Sequence, residues 1–268
     1  MSVLVFDIGG TNIRIALSSN GRTLNVVRHF RTPRTWPAAR RLIIDFVKRC
    51  APSKIHRVVG GVPGMLDAKH AALRVAFCLP RWEGRPIRRD LASAFRAPVR
   101  LENDCVLGAL GEAHAGAGRG YRSVGYLAVG TGIGGAKVVR GKIDEHADGF
   151  EPGHQIVNGR KTFSDLVGGT SIKRRWRRDP AAIRSPAVWR RIGRDFAVGI
   201  RNATMFWSPE VMILSGSVVS RQPVMVREAR IRASRALRRF GYRVKIVRGR
   251  LGDRAGLYGA LTLAKKRA

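Results

Sequence analysis

A carboxylate, a hydroxyl and a carboxamide stand close together near the beginning of the chain. Residues 5–17 read VFDIGGTNIRIAL, which places Asp7, Thr11 and Asn12 between two runs whose apolar residues alternate as in β-strands. A tight hairpin needs only two residues at its turn, so this longer polar turn needs another explanation. Backbone N–H groups of glycines, together with such side chains, can hold a phosphate and its metal ion.

The same arrangement recurs in the middle of the chain. Residues 123–143, SVGYLAVGTGIGGAKVVRGKI, share the order and spacing of residues 3–24, VLVFDIGGTNIRIALSSNGRTL: strand, glycine-rich polar turn, strand. Such an internal repeat predicts two similar halves that face each other across a cleft. A hairpin with a wide loop would explain one glycine turn, but it explains poorly two matching turns that contain Asp7, Thr11 and Thr131.

Residues 130–135, GTGIGG, also fit the G-x-G-x-x-G pattern of dinucleotide-binding proteins. That fingerprint requires a helix directly after it, whereas the AKVVRGK that follows alternates like a strand. The P-loop pattern G-x-x-x-x-G-K-[ST] does not occur in the sequence. The glycine turn is therefore interpreted as a phosphate cradle between two strands, and a dinucleotide oxidoreductase is excluded.

The elements that must position these turns alternate between strands and helices. The apolar spacing predicts helices over 36–50, 88–95, 105–116, 188–206 and 224–240 and from 255 onward, and further strands over 23–30, 97–104, 210–217 and 242–249. Residues 56–66 predict a buried strand that runs into a glycine- and proline-containing loop. This alternation predicts largely parallel sheets covered by helices.

Length and composition indicate an intracellular globular α/β protein. The chain has 268 residues, of which 44% are hydrophobic, and no apolar run approaches the length of a membrane helix or forms a signal peptide. We therefore expect a cytoplasmic protein with no membrane contact. Cys50, Cys78 and Cys105 are odd in number and far apart, which favours reduced thiols over a disulfide framework.

The charge is unusual for a globular protein. Fifty-one Lys and Arg against 18 Asp and Glu give +33, with nine basic residues and one acid over 173–194 and ten and one over 227–250. Such a surface attracts polyanions such as nucleotides, polyphosphate or nucleic acid. The alternative is a general bias toward arginine in which most of the charge is merely solvated.

Six motifs in order resemble the ROK family of sugar kinases, which belongs to the actin/hexokinase/Hsp70-like superfamily. They are DIGGTNIR, GGVPG, LEND, GTGIGGA, EPGH and ILSGS, and the resemblance runs from Val3 to the last helix. It implies an α/β protein with two ribonuclease-H-like lobes of duplicated topology, the actin-like ATPase fold, around a central cleft. The lobes would be 1–106, joined by the helix 255–268, and 107–254, hinged around 105–111. It also implies a homodimer.

The resemblance implies ATP with Mg²⁺ as the phosphoryl donor. Asp7 would lie near the metal, through water. The two glycine turns would hold the phosphates, through Gly9, Gly10, Thr11, Asn12, Thr131, Gly132 and Gly134. The ILSGS motif would bind the adenosine beside Gly216 and Ser217. Ser217 stands where family members usually have a second glycine.

On the sugar side, the resemblance makes Asp104 the general base that takes a proton from the 6-hydroxyl of a sugar. The alternative for Asp104 is a plain helix N-cap, a role that aspartate often fills. Asn103 and Glu151 would hold sugar hydroxyls, with His154 and Gly64 as further contacts.

The sequence departs from the family pattern at three places. In many members the histidine of EPGH binds zinc with three cysteines, but QIVNGRKTFSDLVGG contains none, so we predict no zinc site. Ser164 stands where the family commonly has a sugar-binding glutamate, a role that Asp165 could take over. Cys78 stands where an asparagine is usual.

The leading hypothesis is an ATP-dependent hexose kinase that phosphorylates the 6-hydroxyl of a sugar, most plausibly glucose. Alternatives within this chemistry are a polyphosphate donor and other hexoses (mannose, N-acetylmannosamine or fructose). A non-catalytic sugar-sensing regulator is less favoured, because such proteins carry an N-terminal winged helix and often lack the catalytic aspartate, whereas Asp104 is present here.

Overall fold

The computed structural model describes residues 2–51, 54–144 and 148–265, and the chain forms two compact units. The first comprises the residues up to Gly111 together with the segment from Arg254 onward, and the second comprises Glu112–Asp253. Within the described ranges every helix is too short or too polar to cross a membrane.

The strands follow the alternating patterns of the sequence. In chain order they are β1 (Val3–Ile8), β2 (Asn12–Ser18), β3 (Val26–Arg31), β4 (Arg57–Val62), β5 (Met65–Leu66), β6 (Leu73–Val75), β7 (Val99–Asn103), β8 (Ser123–Val129), β9 (Ile133–Val139), β10 (Lys142–Ile143), β11 (Ile156–Asn158), β12 (Lys161–Thr162), β13 (Val211–Ser215) and β14 (Lys245–Arg248).

The helices are amphipathic where one face covers a sheet and apolar nearly all round where they are buried. In chain order they are α1 (Trp36–Cys50), α2 (Ile87–Phe95), α3 (Asp104–Ala115), α4 (Phe163–Val167), α5 (Gly169–Trp176), α6 (Pro186–Trp207), α7 (Ser217–Arg221), α8 (Pro223–Arg238) and α9 (Ala255–Lys265).

Each unit contains a five-stranded sheet, and the two sheets have the same topology. Their strand orders are β3-β2-β1-β4-β7 and β10-β9-β8-β13-β14. In both, the first three strands are antiparallel and the last two run parallel to the strand that precedes the glycine turn. The predicted fold class, two sheet-containing lobes of duplicated α/β topology, is thereby confirmed.

The parallel strands of the first sheet bring chemistry to one edge. The ends of β1, β4 and β7 are aligned, since Asp7 is paired with Gly61 and Val62 with Asn103. Behind this edge lies an apolar core that contains fully buried side chains such as Phe6. The apolar contacts within this core fix the register of the strands. The carboxyl ends of parallel strands are the usual place for an α/β binding site.

Close helix packing joins α3 to α9 within the first unit. A Cβ at position 111 would lie 3.0 Å from the carbonyl carbon of Ala255, and one at position 259 would lie 2.6 Å from that of Leu107. The first unit ends at Gly111, whereas the lobes predicted from the sequence are 1–106 and 107–254. The predicted boundary between the two lobes, at residues 106 and 107, stays a prediction.

In the second unit a fully buried carboxylate holds the segment that precedes α9. Glu112 is 0% exposed, and its carboxylate accepts backbone N–H groups from Ala117 at 2.7 Å, Arg250 at 3.1 Å and Leu251 at 2.8 Å. Three N–H donors compensate for the cost of burying the charge.

Candidate active site

Two carboxylate residues flank one glycine at the edge of the first sheet. A Cβ placed on Gly61 would lie 3.2 Å from Asp7 Oδ1 and 3.3 Å from Asp104 Cα. Asp7 comes from β1 and Asp104 begins α3, so the aligned strands β1, β4 and β7 bring them together. The residues predicted to hold the metal and to act as base are therefore neighbours in the same unit.

The Asp7 carboxylate is held from two sides. Arg14, its partner across the β1–β2 pair, places Nη1 3.7 Å from Asp7 Oδ2. On the other side lies Gly256, the second residue of α9, where a Cβ would come within 2.5 Å of Asp7 Oδ2 and 2.8 Å of Oδ1. The carboxylate thus lies against the N-terminal turn of α9, where the helix dipole favours a negative charge.

Asn103, rather than Asp104, is the main cap of α3. Asn103 Oδ1 accepts the N–H groups of Cys105 at 2.9 Å and Val106 at 3.2 Å, while its Nδ2 donates to the carbonyl of Gly64 at 3.0 Å. Asp104 Oδ1 also accepts from the N–H of Cys105, at 2.8 Å. The carboxamide of Asn103 therefore fixes the GGVPG loop and the start of α3, and this in turn orients Asp104.

The first glycine turn is braced by its own backbone and by the end of β3. The N–H of Gly9 donates to the carbonyl of Asn12 at 2.9 Å, and Thr32 Oγ1 donates to the carbonyl of Gly9 at 2.7 Å. Thr11 and Asn12 are exposed, and the glycines, Gly10 included, are half-buried. The turn therefore presents polar groups to solvent on a rigid support, as a phosphate site requires.

The second glycine turn is braced by the helices that follow it. The carbonyls of Gly130 and Thr131 accept the N–H groups of Gly169 and Thr170, at 2.9 and 3.0 Å, in the first turn of α5. Ser164 Oγ accepts the N–H of Ile133, the first residue of β9, at 3.2 Å. Gly132 and Gly134 are half-buried.

Gly216 adjoins the same turn and must be glycine. Its φ is +94°, and a Cβ there would lie 2.6 Å from the backbone nitrogen of Val129, the residue before the glycine turn. The combination of a left-handed φ and a close backbone approach excludes larger residues. Gly216 and Ser217, at the end of β13, therefore lie beside the predicted phosphate turn of the second unit.

The Glu151–His154 motif packs directly on the second glycine hairpin. A Cβ at Gly153 would lie 2.5 Å from Ser164 Oγ, and one at Gly135 would lie 2.8 Å from Pro152 Cγ. Burial raises the pKa of the Glu151 carboxyl, and the nearby His154 opposes this shift. A half-buried carboxylate has lost part of its hydration, so hydrogen bonds donated by a polyol would compensate for that loss.

The departures from the family pattern have structural counterparts. Ser164 fills the space beneath the glycine hairpin with its bond to Ile133. The Asp165 carboxylate caps α4, because Oδ2 accepts from Thr162 N at 3.1 Å and from Thr162 Oγ1 at 2.8 Å, and this lowers its pKa. Asp165 is committed to this capping box, which disfavours it as a replacement sugar ligand. Cys78 is exposed.

The residues present fit Mg²⁺ and a nucleotide. Mg²⁺ is usually bound by one or two carboxylates with the rest of its shell from water and substrate phosphates, and the pair Asp7 and Asp104 offers such donors. Across the described ranges no three His, Cys, Asp or Glu side chains cluster as ligands for a metal held by the protein alone. The predicted lack of zinc stays a prediction.

Comparison with known proteins decides the family. The model of the ROK family matches residues 3–267. This chain belongs to the ROK family. The glucokinase of Thermotoga maritima is 26% identical over 311 residues, covering 100% of this chain and 98% of the relative.

Solved structures of ROK proteins share the fold. A ROK glucokinase from Streptomyces griseus, crystallised with glucose and AMPPNP, superposes with a TM-score of 0.84 at 22% identity over 99% of both chains. The ROK hexokinase of Thermus thermophilus superposes with a TM-score of 0.76 at 27% identity, over 98% of this chain and 97% of the other. The actin-like ATPase fold expected from the ROK motifs is thereby confirmed.

Two residues at the site of this ROK protein were missed from the sequence. Arg14 lies within the motif DIGGTNIR, but the motif does not by itself indicate that Arg14 pairs with Asp7. Gly256 has a detectable signal: glycine weakens a helix, yet AGLYGA places glycines at 256 and 259 within α9. Glycines at that spacing mark a close backbone approach, but the sequence does not say what approaches.

Proposed function

We propose that this ROK protein is an ATP-dependent hexose kinase that transfers the γ-phosphate of ATP to the 6-hydroxyl of a sugar, with glucose as the preferred acceptor. The observation that carries the proposal is the adjacency of Asp7 and Asp104 beside a glycine turn. The likeness to the Thermotoga maritima glucokinase over its whole length supports a sugar acceptor. The AMPPNP complex of the Streptomyces griseus glucokinase supports ATP as donor.

In the proposed reaction, Asp104 accepts the proton of the sugar 6-hydroxyl as its oxygen attacks the γ-phosphorus. An ordinary carboxylate is sufficient, since phosphoryl transfer depends mainly on positioning and charge neutralisation. Bound Mg²⁺ would neutralise charge on the β- and γ-phosphate oxygens. Asp7 would hold it through water, and the backbone of both glycine turns would bind the phosphates. Asn103 would keep Asp104 in place and meet neighbouring sugar hydroxyls.

The sugar would be oriented by Glu151, with His154 as a further contact. Ser164, whose Oγ accepts the N–H of Ile133, is a short side chain at the position where the family resemblance implies a sugar-binding glutamate. We propose that this leaves one sugar hydroxyl without an acidic partner, so selectivity between hexoses is lower than in a protein with that glutamate. The homodimer expected from the family resemblance remains a prediction.

The proposal is tested by steady-state kinetics of the purified chain with Mg-ATP and a panel of sugars. Glucose, mannose, fructose, N-acetylglucosamine and N-acetylmannosamine would be compared by kcat/KM. We expect turnover with glucose to exceed that with the N-acetyl sugars. Absence of turnover with every sugar, from protein that binds sugar and is folded, would favour the sugar-sensing regulator instead.

The net charge of +33 makes polyphosphate the alternative phosphoryl donor to compare with ATP. Polyphosphate is a long anion that such a surface attracts. Turnover of glucose with ATP and with long-chain polyphosphate, at equal phosphoryl concentration and several salt concentrations, separates the two donors. We expect ATP to be the better donor.

The pH dependence of sugar affinity follows from Glu151. Burial raises the pKa of this carboxyl above its usual 4.5, so at a higher pH than an exposed glutamate it becomes protonated and loses its negative charge and part of its capacity to accept hydrogen bonds. We expect KM for the sugar to rise as the pH falls through this raised pKa, with a smaller change in kcat. Glu151→Gln should raise KM at neutral pH and abolish this dependence. An identical pH profile in the variant would assign the effect to another group.

A further inference from the structure

The positive charge of the second unit is concentrated, not spread. Residues 112–253 contain 28 Lys and Arg and 11 Asp and Glu. Residues 173–194 contribute nine basic residues and one acid, and residues 227–250 contribute ten and one. The remainder of the unit contains nine of each sign, so these two segments account for its whole excess of charge. The first unit has a similar excess, with 23 Lys and Arg against 7 Asp and Glu, so what distinguishes the second unit is that its excess is confined to two segments.

The two segments meet where α6 packs along α8, which brings residues 186–194 of the first segment beside the second. A Cβ at Gly193 would lie 2.8 Å both from the carbonyl oxygen of Met225 and from Cβ of Glu228, so the helices approach closely there. Arg194 Nε lies 4.0 Å from Glu228 Oε1, and Arg232 also pairs with this carboxylate. Glu228 is the only acid on α8, and it is shared by two arginines. On α6, Asp195 directly follows the first segment, and its carboxylate lies near Arg175 and Arg191.

Most cations of α8 have no partner among the described residues. Arg227, Arg230, Arg235 and Arg238 are exposed, and none makes an ion pair or a side-chain hydrogen bond within the part of the chain that the structure describes. At 1.5 Å per residue they extend over about 17 Å of helix. A row of uncompensated guanidinium groups of this length suits a chain of phosphates better than one small anion.

A groove runs between α8 and the outer strand of the second sheet. It has a volume of about 450 Å³, with Arg230, Arg238 and Lys245 as its charged lining and Ile231, Val244 and Val247 among its apolar residues. The strand is β14, the last in the sheet, so no strand pairs with its outer edge among the residues that the structure describes. The groove therefore offers cations, apolar surface and backbone groups side by side.

Two exposed phenylalanines lie where α6 and α8 end, close to the groove. Phe240 follows α8 and is 65% exposed, and Phe206, near the end of α6, is 82% exposed. Tyr242 Oη donates to the carbonyl of Met205 at 3.4 Å, which brings the end of α6 to the turn that carries Phe240. Exposed aromatic rings beside a basic groove are the arrangement on which proteins stack unpaired bases.

We propose that the groove between α8 and β14, with the adjoining face of α6, binds single-stranded nucleic acid. The guanidinium groups contact phosphates and the rings of Phe240 and Phe206 stack on bases. Inorganic polyphosphate would use the cations but has nothing to stack on the rings. An acidic peptide would use the strand edge and the cations but carries no bases to stack on the exposed rings. This activity is separate from the proposed kinase site.

The test measures binding of a fluorescently labelled 20-nucleotide oligouridylate by anisotropy, without ATP or sugar, so that its outcome is independent of kinase activity. One variant combines Arg230→Gln, Arg238→Gln and Lys245→Gln. The matched control removes the same charge from exposed positions on α1 with Arg41→Gln, Lys48→Gln and Arg49→Gln. Both should keep wild-type kcat with glucose if the kinase proposal holds.

We expect the groove variant to bind at least tenfold more weakly and to reduce the slope of log affinity against log salt by about 2, since each lost phosphate contact removes about 0.7. The control should change affinity less than threefold. Phe240→Ala should weaken the oligonucleotide about fivefold or more, and binding of long-chain polyphosphate should be unaffected by this change.

Three results would overturn the proposal. Equal losses in the groove and control variants would mean that diffuse charge alone attracts the oligonucleotide. An unchanged affinity in Phe240→Ala would remove the stacking surface and leave a simple polyanion site. A change in molar mass by light scattering in Phe240→Ala or Phe206→Ala would mean that the rings form a contact between copies of this chain.

Discussion

Replacing Asp104 with asparagine should lower kcat for sugar phosphorylation by about 10²–10⁴-fold, the usual contribution of a positioned general base. Asparagine keeps the size of the side chain and its acceptor for the N–H of Cys105, so the start of α3 should survive. The amide cannot accept the sugar proton. Affinity for ATP, measured by calorimetry or fluorescence, should stay within about threefold.

Asp45→Asn is a suitable control for Asp104→Asn. It removes one carboxylate from α1, a helix that carries none of the residues assigned to the site. We expect wild-type kinetics from this control. If Asp104→Asn retained more than a tenth of wild-type kcat, Asp104 would not be the base.

Gly256→Ala should lower kcat by about 10²-fold, the cost of a displacement of roughly 1 Å at a catalytic group. Helix propensity alone would make alanine stabilise α9 by about 1 kcal/mol. The added methyl group, however, would lie only 2.5 Å from Asp7 Oδ2, so the carboxylate must move. We therefore expect a weakened dependence on Mg²⁺, seen as a higher Mg²⁺ concentration for half-maximal rate.

A double-mutant cycle separates this effect from general damage to the fold. Asp7→Ala removes the group that the new methyl strikes, so Gly256→Ala should add little further loss in that background. Equal losses in both backgrounds would mean that Gly256 acts through the packing of α9 and not through Asp7. Thermal unfolding of all four proteins gives the matching cycle for stability.

Much of the fold could be predicted because apolar periodicity and glycine turns are local signals. The helix predicted from 255 begins at Ala255, and the helix predicted over 36–50 spans those residues. The strand predicted over 97–104 ends at Asn103, directly before α3. Strand–helix alternation then determined the parallel part of each sheet.

Short helices were missed because they contain too few turns for a periodic pattern. α4 has five residues, α5 eight and α7 five. A local signal existed for α4, since Thr162 and Asp165 form a capping box at a spacing of three. α8 was predicted to continue to 240 but ends at Arg238.

The contacts of Asp7 could not be predicted from the sequence, because they depend on how distant segments pack. Gly256 lies far from Asp7 along the chain, and only the docking of α9 on β1 brings them together. Likewise, no local pattern assigns the cap of α3 to Asn103 in preference to Asp104. The tertiary structure decides which of two neighbouring polar residues points toward the helix.

The central claim, that this chain transfers the γ-phosphate of ATP to the 6-hydroxyl of a sugar, is tested most directly by ³¹P NMR of the purified chain with Mg-ATP and glucose. We expect the γ-phosphate resonance of ATP to disappear while the resonances of ADP and of one phosphomonoester grow in equal amounts. The phosphomonoester resonance should show coupling to the protons on C6 of glucose. Release of inorganic phosphate alone, or no change while the folded protein binds both compounds, would contradict the claim.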